Sequence, residues 1–228
     1  MSESNPRERS GGPLSQHAYE ELKAKILSNQ IRSGRFYLER ELAELLGISR
    51  TPLKEALVRL ENEALIIVQP RHGIQVQPLS ADDMEEIYQV ITCLECEAVS
   101  ALAKKGLSPE EEQAMESATL RMEAALRQDD LESWARADEA FHRYLLEFCG
   151  NSRLKQTALN FWDQAHRARY FTLNFREKPV NSTLDHKHVI EAIKQGKAED
   201  AAAIHRRHRV QGGETLVSII RRFRLDNF

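Results

Sequence analysis

Asp138 and His142 stand four residues apart in the run DEAFH. On a helix that spacing puts both side chains on one face, one turn apart. His186, in DHKHVIEAI, and His208, in IHRRH, follow on later stretches with helical periodicity. A carboxylate and three imidazoles converging in a bundle core would make a sound divalent metal site, with zinc, nickel and manganese all compatible and donor softness not separating them. The alternative is that each histidine is a separate surface or core residue, and spacing alone leaves both arrangements open. Such a donor set leaves one or two coordination positions for water or a ligand carboxylate, and an open site of this kind can serve catalysis. No HExxH run is present and no residue stands out as a general base, so turnover is not expected.

A second group of residues points to nucleic acid. In ERELAELLGISRTPLKEALVRL, Glu39 to Leu60, two short amphipathic helices are pinched around Gly47. Leu42, Ala43, Leu45 and Leu46 supply one apolar face, and Leu53, Ala56, Leu57 and Leu60 the other at i, i+3, i+4 and i+7. Gly47 can end the first helix in the left-handed conformation, and Ile48 plugs the angle between the two. Ser49 is placed as N-cap, with Pro52 in the first turn. The pattern is a helix-turn-helix, whose second helix offers its start to the DNA major groove. Arg40, Arg50 and Lys54 could read base edges from there, and the Ser49 and Thr51 hydroxyls suit phosphate oxygens. The bland alternative is that Arg40 and Arg50 only pair with Glu39, Glu55 or Glu61 on a solvated face.

The elements that must position these residues fall into two groups. A helix over roughly 17–29 turns Ala18, Leu22, Ile26 and Leu27 inward, and a loop through Ser33 and Gly34 leads to the helix pair. LIIVQ (Leu65 to Gln69) and GIQVQ (Gly73 to Gln77) read as a hairpin. The result is a winged helix-turn-helix over residues 14–77, with Arg71, His72 and Gly73 at the wing tip and His72 and Gly73 able to enter a minor groove. Beyond Pro78 the strand signal ends. Capping signals at Ser80/Asp83 and at Ser108-Pro109-Glu110-Glu111 open helices to about Lys104 and Arg127. Further helices are expected over 131–149, 152–175, 182–195 and 197–224. The fold class is mainly α: the winged domain, then an antiparallel all-α helical bundle over residues 80–225.

The chain of 228 residues, with 41% hydrophobic and 29% charged residues and a net charge of −3, is that of an ordinary globular protein. A DNA-binding surface must therefore be local. Residues 1–13 are expected to be a disordered tail. No run approaches a membrane span and the N-terminus is too polar for a signal peptide, so the expected location is cytoplasmic, with no membrane partner. Cys93, Cys96 and Cys149 make no disulfide framework, and Cys93-x-x-Cys96, inside a helix, reads as two packed thiols.

ERELAELLGISRTPLKEALVRLENEAL, followed by a wing ending in RHGIQV, closely resembles the DNA-binding domain of the GntR family of bacterial regulators. The helical remainder resembles the FCD ligand-binding domain of its FadR-like subgroup. The resemblance implies a ligand-responsive transcriptional regulator and not an enzyme. It would bind double-stranded operator DNA as a homodimer and repress by default, with a small-molecule effector, a carboxylate in many such domains. It also implies a metal held by Asp-x-x-x-His and two later histidines, matched by Asp138, His142, His186 and His208. His188 and His205 fall out of register, and His166 reads as a polar face residue. Three departures stand out. Lys54 replaces the usual arginine and lacks its bidentate fork; Ala64 replaces a usual glycine; Ile91 fills the slot where acid-binding members carry arginine. Arg136, Arg143, Arg167 and Arg169 are candidate substitutes. Trp134, Trp162, Tyr170 and Phe171 could line a pocket, although core is the simpler reading for most. A DNA-tethered metalloenzyme and a direct metal sensor are the competing functions.

Overall fold

The computed structural model describes residues 12–224, which divide into two compact units, one ending at Pro78 and the other beginning at Leu79. Residues 1–11 of the expected tail lie outside the described residues, and Pro13 already belongs to the first helix.

In the first unit, α1 (Pro13–Leu27), α2 (Glu39–Leu46) and α3 (Arg50–Asn62) pack with a small sheet. α1 begins four residues ahead of the expected His17 because Pro13 is set for a first helical position. Its Ala18, Leu22 and Ile26 meet Leu53, Ala56, Leu57 and Leu60 of α3 in one buried cluster, as the periodicity requires. Leu45 departs from expectation: it is 54% exposed, while Leu42 and Ala43 alone of its set are buried. The sheet has three strands, in the order β1 (Phe36–Tyr37), β3 (Gly73–Val76), β2 (Ile66–Gln69), all antiparallel. The expected hairpin is β2–β3. The extra strand, Phe36–Tyr37, pairs with Gln75 and Ile74 and is too short to show an alternation in sequence.

The second unit holds α4 (Ala81–Lys105), α5 (Pro109–Arg127), α6 (Leu131–Phe148), α7 (Ser152–Phe171), α8 (Val180–Lys194) and α9 (Ala198–Phe223). Reciprocal caps fix two starts: Asp83 N–H donates to Ser80 Oγ at 3.1 Å, and Glu111 N–H donates to Ser108 Oγ at 3.2 Å. α7 stops four residues early. The Thr172 hydroxyl donates to the Ala168 carbonyl at 2.9 Å, and a 3-10 turn follows over Leu173–Phe175. α8 starts at Val180, directly after Pro179, two residues ahead of expectation. α4 and α9 approach closely: a Cβ at Gly213 would lie 2.7 Å from the Tyr88 ring.

Ala64 ends α3 in the left-handed region, at φ 53°, where its N–H bonds to the Glu61 carbonyl and Leu65 N–H to that of Leu60. A Cβ in that conformation costs about 1–2 kcal/mol. Ala64→Gly is therefore expected to raise stability by about 1 kcal/mol in urea unfolding; a lowered midpoint would contradict the assignment of strain.

Candidate metal centre and DNA-reading surface

The bundle brings the four residues of the DEAFH, DHKH and IHRRH runs together. Asp138 and His142 come from α6, His186 from α8 and His208 from α9, with donor atoms all within 4.8 Å of one another. Asp138 and His142 are fully buried and His186 is 1% exposed. Their outer atoms are already engaged. His142 Nδ1 lies 3.1 Å from Glu95 Oε2, and His186 Nδ1 lies 2.6 Å from the Ser182 carbonyl. With a proton on each Nδ1, both rings turn an Nε2 lone pair inward. His186 Nε2 is 3.0 Å and His142 Nε2 3.8 Å from Asp138 Oδ1. All three inward atoms are buried without a hydrogen-bond partner. Buried acceptors facing one another are costly unless something positive sits among them. The donor set fits a divalent ion.

Glu95, on α4, holds this arrangement from behind and was not foreseen. It is fully buried, and its Oε2 meets His142 Nδ1, His205 Nε2 at 2.7 Å and Arg209 Nε at 3.2 Å. Its Oε1 accepts from Trp162 Nε1 at 2.6 Å. Burial opposes its ionisation, but the Arg209 guanidinium and the two imidazoles outweigh it and hold the carboxyl well below the usual range. Asp138 is likewise opposed by burial and held low by Arg169, His142 and His186. Burial pushes His142 down to about 3 against both carboxylates, and depresses His208 strongly with the neighbouring imidazoles adding to it. Neutral imidazoles are the form a metal needs. His205, set aside in sequence as out of register, is fully buried and belongs to the Glu95 group. It lies one turn ahead of Arg209 on α9, so the two share a face and both meet Glu95.

A cavity of about 500 Å³ opens beside His208, lined by Tyr88, Trp134, Arg169, Arg176 and Arg209 among others. Arg169 pairs with Asp138, and Arg176 donates to Thr172 Oγ1 at 2.9 Å. Of the four arginines proposed from sequence, Arg169 alone lines the cavity; Arg136 is exposed and pairs with Glu132, Arg143 pairs with Glu139 and Asp163, and Arg167 is buried on α7. Ile91 is fully buried in an apolar cluster with Tyr88. Trp162 is core, as expected, and Trp134, also buried, lines the cavity, whereas Phe171 is 38% exposed and Tyr170 reaches Glu132 with its hydroxyl. His166 packs between Trp162 and Tyr170 and lies 3.4 Å from Glu139, while His188 is exposed. Cys93 is exposed, Cys96 and Cys149 are buried, and none is bridged.

In the first unit, Gly47 adopts φ 64° and Ser49 sits at the N-cap of α3 without a side-chain cap bond, leaving its hydroxyl available. Ser49, Arg50, Thr51 and Lys54 are all exposed on the start of that helix. Arg50 makes no ion pair among the described residues; Arg40 lies 3.6 Å from Glu44 and Lys54 3.8 Å from Glu39. Exposed pairs of this kind contribute at most about 1 kcal/mol and can be exchanged for phosphate or base contacts. At the wing, the His72 ring packs 5.9 Å from that of Phe36. Gly73 has a backbone reason for being glycine: φ is 107° and a Cβ would fall 2.5 Å from the Tyr37 carbonyl oxygen.

Two family models match this chain: residues 14–76 match "Bacterial regulatory proteins, gntR family", and residues 86–211 match the FCD domain. The chain belongs to the GntR family and carries an FCD domain. It is a DNA-binding transcriptional regulator, not an enzyme. Among its relatives, an HTH-type transcriptional regulator of Agrobacterium vitis is 40% identical over 131 residues, 57% of this chain and 77% of the relative. The HTH-type transcriptional repressor RspR of Escherichia coli is 23% identical, over 85% of this chain and 83% of its own. The structure of E. coli McbR/YncC matches with a TM-score of 0.77 at 21% identity, covering 90% of this chain and 97% of that one, and so shares its fold. No helix among the described residues is long and apolar enough to cross a membrane.

Removing the Glu95 carboxylate from the regulator strands two imidazoles, an indole N–H and a guanidinium. Glu95→Leu is expected to destabilise the metal-free protein by about 3–5 kcal/mol, and Glu95→Gln, which keeps an acceptor, by less. Urea unfolding reads both, and an unchanged midpoint for Glu95→Leu would show that the buried network contributes nothing.

Proposed function

We propose that this regulator is a repressor that binds operator DNA as a homodimer in the cytoplasm, and that a small-molecule effector binds beside a divalent metal ion in the FCD domain. Asp138, His142, His186 and His208 would hold the ion, zinc first, with nickel or manganese also compatible. When bound, the ion supplies concentrated positive charge for an effector carboxylate. The reading is carried by three buried, unpartnered donor atoms that face one another next to a cavity rimmed with guanidinium groups. An effector that prefers one arrangement of the bundle over another would shift the population toward it, and so change the affinity for DNA. The relative named a repressor supports the sign of regulation. The dimer follows from the small footprint of one winged domain, since two copies double the half-site contacts.

On the DNA side, Arg50 would read base edges, with Arg40 and Lys54 beside it and the Ser49 and Thr51 hydroxyls on phosphates. His72 and Gly73 would bring the wing to the adjacent minor groove. Genomic fragments selected by the purified protein supply the operator for the test. Arg50→Ala is expected to weaken operator binding by about 1–3 kcal/mol with the fold intact, and an unchanged footprint would remove Arg50 from the interface. For the metal, His186→Ala is expected to lose stoichiometric ion by emission spectroscopy, and full occupancy in that variant would sink the ligand set.

A further inference from the structure

The wing holds a single formal charge, and its placement is unusual. Between Glu63 and Asp82 the sequence has one lysine, arginine or acid, Arg71. Arg71 lies at the tip of the β2–β3 hairpin, exposed, and its side chain makes no ion pair, hydrogen bond or ring contact among the described residues. Its two neighbours at the tip are engaged by β1. The His72 ring packs against that of Phe36, with centroids 5.9 Å apart, and Gly73 is backed by the Tyr37 carbonyl oxygen, which a Cβ would meet at 2.5 Å. The sequence pattern offers His72 and Gly73 to a minor groove; the geometry leaves Arg71 as the tip side chain that the protein itself does not use.

The backbone presents Arg71 at a cost. His72 N–H donates to the Gln69 carbonyl at 3.1 Å, closing a turn whose central residues are Pro70 and Arg71. Proline fixes its own φ at about −65°, and Arg71 has φ 69°. A negative φ followed by a positive one is the type II pattern, in which the second central position favours glycine or asparagine because a Cβ is strained there. Arginine stands in that position here. Strain of this kind concentrates at sites that contact ligands. Packing does not account for it, since the side chain is exposed.

We propose that Arg71 is a specificity-determining residue: its guanidinium enters the minor groove beside the base pairs that α3 reads and selects A·T pairs there, with His72 bracing the tip against β1. This rests on the reading of the wing as a minor-groove contact and names the side chain that does the reading. Runs of A·T pairs narrow the minor groove and strengthen its negative potential, which draws arginine in. A G·C pair instead sets the guanine 2-amino group, a donor, on the groove floor, where it faces another donor. A guanidinium suits this task better than an ammonium because it is more weakly hydrated and gives up water more readily. No carboxylate on the hairpin itself competes for the charge.

The test uses the full-length protein and duplexes built on its selected operator, in which the base pairs flanking each site read by α3 are A·T, G·C or inosine·cytosine. Inosine lacks the 2-amino group, so its pair with cytosine resembles A·T in the minor groove and G·C in the major groove. Wild-type protein should bind A·T and inosine·cytosine flanks about fivefold or more tightly than G·C flanks. Arg71→Asn, whose side chain tolerates the left-handed turn, should bind all three alike, and Arg71→Lys should keep part of the preference. Urea unfolding of Arg71→Asn should give a midpoint at or above that of wild type, which separates lost reading from lost fold. The inference is overturned if wild type binds the three flanks equally, if inosine·cytosine behaves as G·C, if Arg71→Asn keeps the preference, or if that variant unfolds at lower urea, which would make Arg71 a structural residue. Hydroxyl-radical footprinting distinguishes the deeper failure: wild-type protein that leaves the flanking minor groove unprotected overturns the wing reading, and this inference with it.

Discussion

A single buried carboxylate organises the interior of the helical unit around the histidine cluster. Alone in the interior of a bundle, ionised Glu95 would cost several kcal/mol in lost hydration. It is tolerated because α6, α7 and α9 each bring donors to it: His142, Trp162, and His205 with Arg209. The same contacts explain why the inner faces of the histidines are free. By engaging His142 Nδ1, Glu95 leaves Nε2 facing Asp138, and the Ser182 carbonyl does the same for His186. The ligand-ready form of the cluster is therefore a consequence of packing around it.

Arg209 joins this network to the cavity. One edge of its guanidinium lies against Glu95, its central carbon lies 5.0 Å from the centre of the Tyr88 ring, and it lines the cavity wall. Arg169 plays a parallel part, joined to the cluster through Asp138. Whatever binds in the cavity therefore touches groups that share carboxylates with the proposed metal ligands. Charge brought by the proposed effector and charge brought by the proposed ion would act on one network, and by linkage each would alter the affinity for the other.

Much of the architecture was legible in the residues. Gly47, the Leu53/Ala56/Leu57/Leu60 stripe and the capping pairs at Ser80 and Ser108 are local signals, and the elements follow them closely. Asp138 and His142 were visible as an i, i+4 pair, because their geometry is set by one helix. His186 and His208 were candidates from their own helical stretches, but only the family resemblance favoured their convergence with the pair, since convergence across three helices leaves no local trace. Glu95 was invisible for a related reason. A glutamate in a helix reads as solvated unless its face is known to be buried, and the neighbouring Cys93 and Cys96 drew attention to thiol chemistry instead. Arg176 and Arg209 escaped in the same way, while Phe36–Tyr37 was too short to carry a strand pattern.

X-ray absorption at the zinc edge of the purified, zinc-loaded regulator tests the central claim most directly. The expected spectrum shows nearest-neighbour scattering from nitrogen and oxygen alone, at about 2.0–2.2 Å, with more distant features that count three imidazoles. Scattering from sulfur at about 2.3 Å, or an imidazole count of one or none, would contradict the proposed centre.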